Sequence, residues 1–345
     1  MVPVEWPIAA PANDGVAVPP RVAGSGRLPV ARVDFFLDPR ARLTEQERSL
    51  MTAMLSDLVA MVEDELTSLL GDVEPANDEG EPLVDRLWAA GLLDIADLIR
   101  MLLQRAEEER VAAGIRAGRP AARMRLLQSL VSDGDPGVSS AAMALILACA
   151  RRRDRFDGPR LMFDDLSAEA AVALVNATAA ALRCDLSRRL GRPEADERLS
   201  AAAQTLLSRH DEGHRLGAKL FDVVHALERS GKLDDMFLRR ALSEAEVALL
   251  AEALARRGGI DFSCAWDHLT DGHGKLALLL RLAGLQRDLA GEVIAAVADL
   301  VGSDAETEIQ AFDSLGDEEV ESRRKWLRLS PAYRDSIGAL GPPDG

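Results

Sequence analysis

Apolar residues recur along this chain at spacings of three and four, and almost nowhere in strict alternation. The clearest case is "LTEQERSLMTAMLSDLVAMVEDELTSLLG", residues 43–71. Leu50, Met54, Leu58, Met61 and Val62 fall on one helical face there. Thr44 and Glu47 stand three apart, as a capping box requires, and Gly71 supplies a stop. Residues 83–113 read as one or two helices interrupted near Gly91. Residues 119–156 read as a helical hairpin turning at Asp133-Gly134-Asp135-Pro136. Residues 166–191 form a long Ala-rich helix, and 194–229 one or two more. The segment 242–259, "LSEAEVALLAEALARRGG", echoes the first helix: Leu43-Thr44-Glu45-x-Glu47-x-x-Leu50 stands beside Leu242-Ser243-Glu244-x-Glu246-x-x-Leu249. The echo fits either an internal repeat or two unrelated capped amphipathic helices. Residues 260–284 suggest two short helices broken at Asp271-Gly272-His273-Gly274, and 286–301, 304–314 and 316–328 close the pattern. The fold class read from this is all-α: a multi-helix array of helical hairpins, HEAT-like solenoid or bundle, without a β-sheet.

Residues 1–30 lack this periodicity and are rich in Pro, Ala and Gly, the composition of a disordered arm. Within "LPVARVDFFLDP", Phe35 and Phe36 could pack as an apolar knob onto the body. The expected division is an arm (1–30), an N-terminal helical half (31–155) and a C-terminal helical half (160–340).

Composition supports the helical reading and narrows the partners. Among the 345 residues, aromatics make up 4% and strand-forming runs are scarce. A net charge of −16 opposes nucleic acid and anionic membranes. The clusters "RRRDR" (151–155) and "SRRKW" (322–326) read as charges favoured at helix C-termini. Cys149, Cys184 and Cys264 form no C-x-x-C pair, and the apolar helical contexts of Cys149 and Cys184 suggest buried, inert thiols in a reducing cytoplasm. The N-terminus lacks the basic start and apolar run of a signal peptide, and the longest apolar run is about half a bilayer span. The expected localisation is cytoplasmic, with no membrane span and with protein partners.

No phosphate loop, dinucleotide fingerprint or nucleophile elbow is present. The candidate chemistry lies in "HDEGHR", residues 210–215. His210 and His214 stand four apart, but a zinc-protease helix needs glutamate where Asp211 stands, and the inverted form needs it where Gly213 stands. On one continuous helix, His225 would share their face within about 60°, yet lie some 16 Å from His214, too far for one ion. A phospho-acceptor role for His210 beside Asp211 is a second reading. Placement at the border of the stripe Leu216, Leu220, Val223, Val224 and Leu227 is a third, as packing or partner-facing residues. Asp267, His268, Asp271 and His273 are metal-capable types in a turn-rich stretch that more often makes caps. The acidic loop "GDVEPANDEGE" lacks the order of a calcium loop. No metal or cofactor site is completed. His210, Asp211 and His214 remain the partner-facing or phospho-acceptor candidates.

Three blocks in order carry a family resemblance. They are "SDGDPGVSSAAMALILACARRRDRF…", "SRHDEGHRLGAKLFDVVHALERSGKLDDMFLRRALSEAEVALLAEALARRGGID" and "LTDGHGKLALLLRLAGL". Across roughly residues 120–300 they resemble bacterial domain-of-unknown-function family 2336, and the helix opening at Leu43 is similar to that family's first helix. The resemblance implies an all-helical, repeat-like protein of the HEAT or helical-hairpin type, in a bacterial cytoplasm, and makes "HDEGHR" part of a family block. It implies no reaction and no catalytic residue. The expected function is therefore a non-enzymatic protein-interaction or regulatory scaffold. The alternatives are a signalling protein with a phospho-acceptor histidine, or a metal-dependent hydrolase.

Overall fold

The computed structural model describes residues 42–71, 82–117, 125–271 and 274–340. The 1–30 arm, Phe35 and Phe36, the acidic loop over 72–81 and His273 lie outside the described residues. Sixteen α-helices occur among the described residues: α1 Glu45–Leu70, α2 Leu83–Ala90, α3 Ala96–Arg116, α4 Arg125–Val131, α5 Pro136–Arg151, α6 Ala168–Leu190, α7 Arg192–Ser208 and α8 Leu216–Arg229, followed by α9 Asp235–Ser243, α10 Val247–Gly258, α11 Phe262–Thr270, α12 Lys275–Leu282, α13 Arg287–Val297, α14 Ala305–Ser314, α15 Asp317–Leu327 and α16 Pro331–Leu340. No strand appears among them; one isolated bridge joins Arg153 and Pro159.

The local signals act as their chemistry requires. Thr44 and Glu47 form the capping box of α1: Thr44 Oγ1 accepts from the Glu47 amide, and Glu47 accepts from the Thr44 amide. Burial would raise the Glu47 pKa, but the Thr44 bonds and Arg110 hold it below the usual range. In the expected hairpin, the Asp135 carboxylate caps α5 by accepting from the Gly137 and Val138 amides, with Pro136 at the first helical position. α6 and α7 are joined by Gly191 alone, whose φ of 81° lies in the left-handed region that a side chain would resist.

Two apolar clusters hold most of the core. The first takes residues from α1 (Met54, Leu58, Val62), α2, α6 and α7, and the start of α3 (Leu98, Leu102). The second takes the end of α3 (Val111, Ile115) and parts of α4, α5 and α8 to α14. Membership follows packing and not chain order, and α3 belongs to both. Near its end, Gly114 packs so closely on Leu300 that a Cβ there would overlap the leucine side chain. Arg110, also on α3, donates to the Glu47 carboxylate at 2.7 Å and to the Leu300 carbonyl.

α6 has the length and apolarity of a bilayer-spanning helix, and half of its most apolar window is buried. It packs against α7, α1 and α2, which is the environment of a core helix.

Three expectations need correction. Residues 242–259 are not one capped helix: Ser243 is the last residue of α9, and Ala245, at φ 56°, turns the chain before α10 begins. Cys184 is exposed, because it lies outside the buried face of α6, whereas Cys149 is half-buried and Cys264 buried. His210, His214 and His225 do not share one helix, because α7 ends at Ser208 and α8 begins at Leu216.

Candidate functional site

The connection carrying the histidines meets the turn after α5, and the two hold each other. Arg152, the residue just past α5, is 3% exposed. Its guanidinium grips Asp165, with Nε 2.9 Å from Oδ2 and Nη2 2.6 Å from Oδ1. It also donates to the carbonyls of Ala148 and His214, each at 2.9 Å. Asp165 in turn accepts from the Met162 amide at 3.0 Å and the Leu216 amide at 3.1 Å, which caps α8. A buried ion pair repays its desolvation only when the remaining donors and lone pairs are satisfied, and here most of them are.

The residues of "HDEGHR" complete a reciprocal clasp. Glu212 accepts from the amide of Ala168, the first residue of α6, at 3.0 Å. Arg215 donates to the Leu166 carbonyl at 2.7 Å and to Glu212 at 2.7 Å. The His210 ring is half-buried, edge-on to Phe163 at 5.2 Å, with Nε2 3.1 Å from that same Leu166 carbonyl. A carbonyl only accepts, so this bond places the ring proton on Nε2. The Asp211 amide donates to Asp164 at 3.3 Å, and the Asp211 carboxylate accepts from the Gly213 amide at 2.8 Å. His214 stays exposed, its Nδ1 3.5 Å from Asp164 and 3.7 Å from Asp211. His225 lies apart on α8, stacked on Phe221 at 5.7 Å.

A cleft of about 200 Å³ opens beside the clasp, between the two apolar clusters. Arg105, Glu108, Arg152, Asp165 and Arg215 line its polar side. Arg105 is 8% exposed and paired with Glu108; burial opposes its charge, but the carboxylate outweighs burial and keeps it protonated. Nearby Cys149 has its thiol pushed up to about 11, chiefly by burial, so it is a neutral thiol and a poor nucleophile. On α11, burial pushes His268 down, and its Nδ1 lies 2.7 Å from the Cys264 carbonyl. Asp267 is pushed up by burial. Among the described residues, no group of three or more His, Cys, Asp or Glu is placed to hold a metal ion.

Sequence reasoning found the block but not its partner. Nothing in "RRRDR" separates the buried Arg152 from its neighbours Arg151 and Arg153, because only the tertiary position of Asp165 singles it out. Arg105 was hidden in the same way, in the charged face of α3.

The sixteen packed helices define an all-helical array without a sheet among the described residues. The chain belongs to the bacterial family described as "Uncharacterised protein conserved in bacteria (DUF2336)", whose model matches residues 92–321. That range takes in the clasp and most of both clusters and leaves α1 and α2 outside it. No curated protein and no solved structure matches the sequence.

Proposed function

We propose that the protein is a non-enzymatic interaction or regulatory scaffold of the cytoplasm, and that Phe156 is one of its contact points. The observation that carries this reading is the loop between α5 and the clasp. Phe156 is 76% exposed at its tip, an unusual position for a large aromatic side chain. The tip is held in place: the Asp154 carboxylate accepts from the amides of Phe156 and Gly158, each at 2.7 Å. The Arg155 guanidinium lies over the ring at 4.6 Å. Met143 and Leu147 are exposed on the middle and later part of α5, which leads into the loop along the chain. A pre-ordered aromatic beside an arginine has the composition of a binding hot spot, and order before binding lowers the entropy cost of association.

The clasp favours this reading over phosphotransfer, since His210 Nε2 is bonded to a carbonyl and its ring is half-buried. The test is affinity capture from the source bacterium's cytoplasm at physiological salt, comparing the wild type with Phe156→Ala. A reproducible partner whose recovery falls at least about tenfold with Phe156→Ala is expected, the loss of one hot-spot side chain. Failure of the wild type to recover any reproducible partner overturns the reading.

A further inference from the structure

Two elements bring hydrogen-bond donors to the cleft beside the clasp. The first is the start of α8, a helix of 14 residues whose Leu216 and Gly217 are in the lining. A helix leaves its first amides without intrahelical acceptors. Asp165 takes the Leu216 amide, and the Gly217 amide next to it has no acceptor among the described residues. The first turn of α8 holds no acid. A Cβ added at Gly217 would meet nothing within 4 Å, so open space lies against this end of the helix. Such an end favours an anion through its amides and its dipole.

The second element is Arg105, which reaches the same cleft from α3. Its side chain is 10% exposed, yet Glu108 engages only Nη1. Neither Nε nor Nη2 has an acceptor among the described residues, and Nε is shut off from water. A buried guanidinium donor without an acceptor is costly, and an acceptor brought from outside the chain would remove that cost.

We propose that the cleft binds a small monocarboxylate with a short apolar tail. The carboxylate lies on the Gly217 amide and the open edge of the Arg105 guanidinium, whose planar fork matches its two oxygens. The tail lies on Met101, Leu161, Leu220 and Phe262, the apolar side of the lining. Charge selects one negative group over two. Arg105, Arg152 and Arg215 are each paired with a carboxylate, Glu108, Asp165 and Glu212 in turn. The polar wall is therefore near neutral apart from the helix end, and a phosphate dianion would bring its second charge against Glu108 and Asp165. Volume limits the tail. About 200 Å³ lies below the roughly 300–1,000 Å³ of sites for larger ligands, and at about 30 Å³ each it holds about seven water-sized groups. This inference goes beyond the scaffold reading and does not rest on Phe156.

The test is isothermal titration calorimetry of the full-length protein with pentanoate, a carboxylate of the size that the cleft accepts. A dissociation constant of about 1 mM or tighter is expected, well within the ceiling for so few atoms. 1-Pentanol, which lacks the charge, and inorganic phosphate, which lacks the tail, should each bind at least about tenfold more weakly. Arg105→Lys keeps the charge beside Glu108 but loses the fork, and should weaken pentanoate about tenfold. Arg105→Met/Glu108→Leu removes the ion pair whole, so no unpaired charge is left to unfold the chain, and should weaken it at least as much. No binding of pentanoate to the wild type at about 10 mM overturns the proposal. So does equal binding of pentanol or phosphate, or an unchanged pentanoate affinity in the double variant.

Discussion

The segments Leu43–Leu50 and Leu242–Leu249 share one residue pattern and build two different structures. In the first, Thr44 stands outside the helix and Glu47 inside it, so the capping box closes. In the second, Ser243 is still in α9, and the chain makes a helix stop. The Ala245 amide donates to the Leu242 carbonyl and the Glu246 amide to the Ala241 carbonyl, with Ala245 in the left-handed region. That bond pair is a Schellman ending, built on alanine where glycine is usual. The surroundings differ as well. α1 buries one stripe, whereas α10 is buried on nearly every side, with Val247, Ala248, Leu249, Leu250, Ala251, Ala253, Leu254 and Ala255 all at or below 6% exposure. A helix enclosed all round gains more from its packing than from any cap. A local motif sets structure only where tertiary packing leaves it free to do so.

The sharpest way to break this contrast is a charge on each helix. Leu249→Asp on α10 should cost about 5 kcal/mol or prevent folding, since a carboxylate there has no partner. Leu50→Asp on the half-buried edge of the α1 stripe should cost under about 2 kcal/mol. Equal costs in chemical denaturation would mean that the two helices are enclosed alike.

Arg152→Ala probes the clasp that lies between the clusters. It leaves Asp165 charged, buried and unpaired, and should destabilise by about 3–5 kcal/mol. Replacing Arg152 and Asp165 together with Met and Leu should cost less than Arg152→Ala alone, which a double-mutant cycle measures.

Glu252 is the carboxylate that α10 encloses, and it sharpens the comparison through pH. Burial pushes its pKa up from the ordinary 4.5 to about 7, only partly opposed by Arg256. The folded value lies above the unfolded one, so the folded state holds an extra proton between about pH 4.5 and about pH 7. Stability therefore falls as pH rises through that window and levels off above it. The difference corresponds to about 3 kcal/mol. Glu252→Gln should be more stable than the wild type by up to that amount near pH 8, with the advantage vanishing below about pH 4.5. An advantage independent of pH in urea titrations would show that the side chain does not titrate this way.

The smallest effect separates the two caps directly. Thr44→Ala should cost about 1 kcal/mol, while Ser243→Ala should stay within about 0.5 kcal/mol. Thermal melts giving the same loss for both would mean that Ser243 caps a helix after all.

Much of the helical layout was legible in the chain, because three- and four-residue spacing, Asp135-Pro136 and Gly71 are signals read within one or two turns. The break at Ala245 was not legible, since alanine is the strongest helix former and nothing local marks it as a turn. The clasp was half legible. "HDEGHR" stands out by composition, but no local signal in it marks the gap between two helices, and the capping of α6 by Glu212 joins residues 44 positions apart. The sequence marks Arg152 only as one of the helix-end charges of "RRRDR", because long-range burial against Asp165 leaves no trace in spacing.

α3 is a single helix of 21 residues, about 31 Å long, with one half in each apolar cluster. Neither cluster can open without stripping one side of a helix that the other still needs. The two should therefore melt as one thermodynamic unit, with calorimetry recording a single transition whose van't Hoff and calorimetric enthalpies agree. A perturbation confined to either end would then lower the midpoint of the whole transition and leave it undivided.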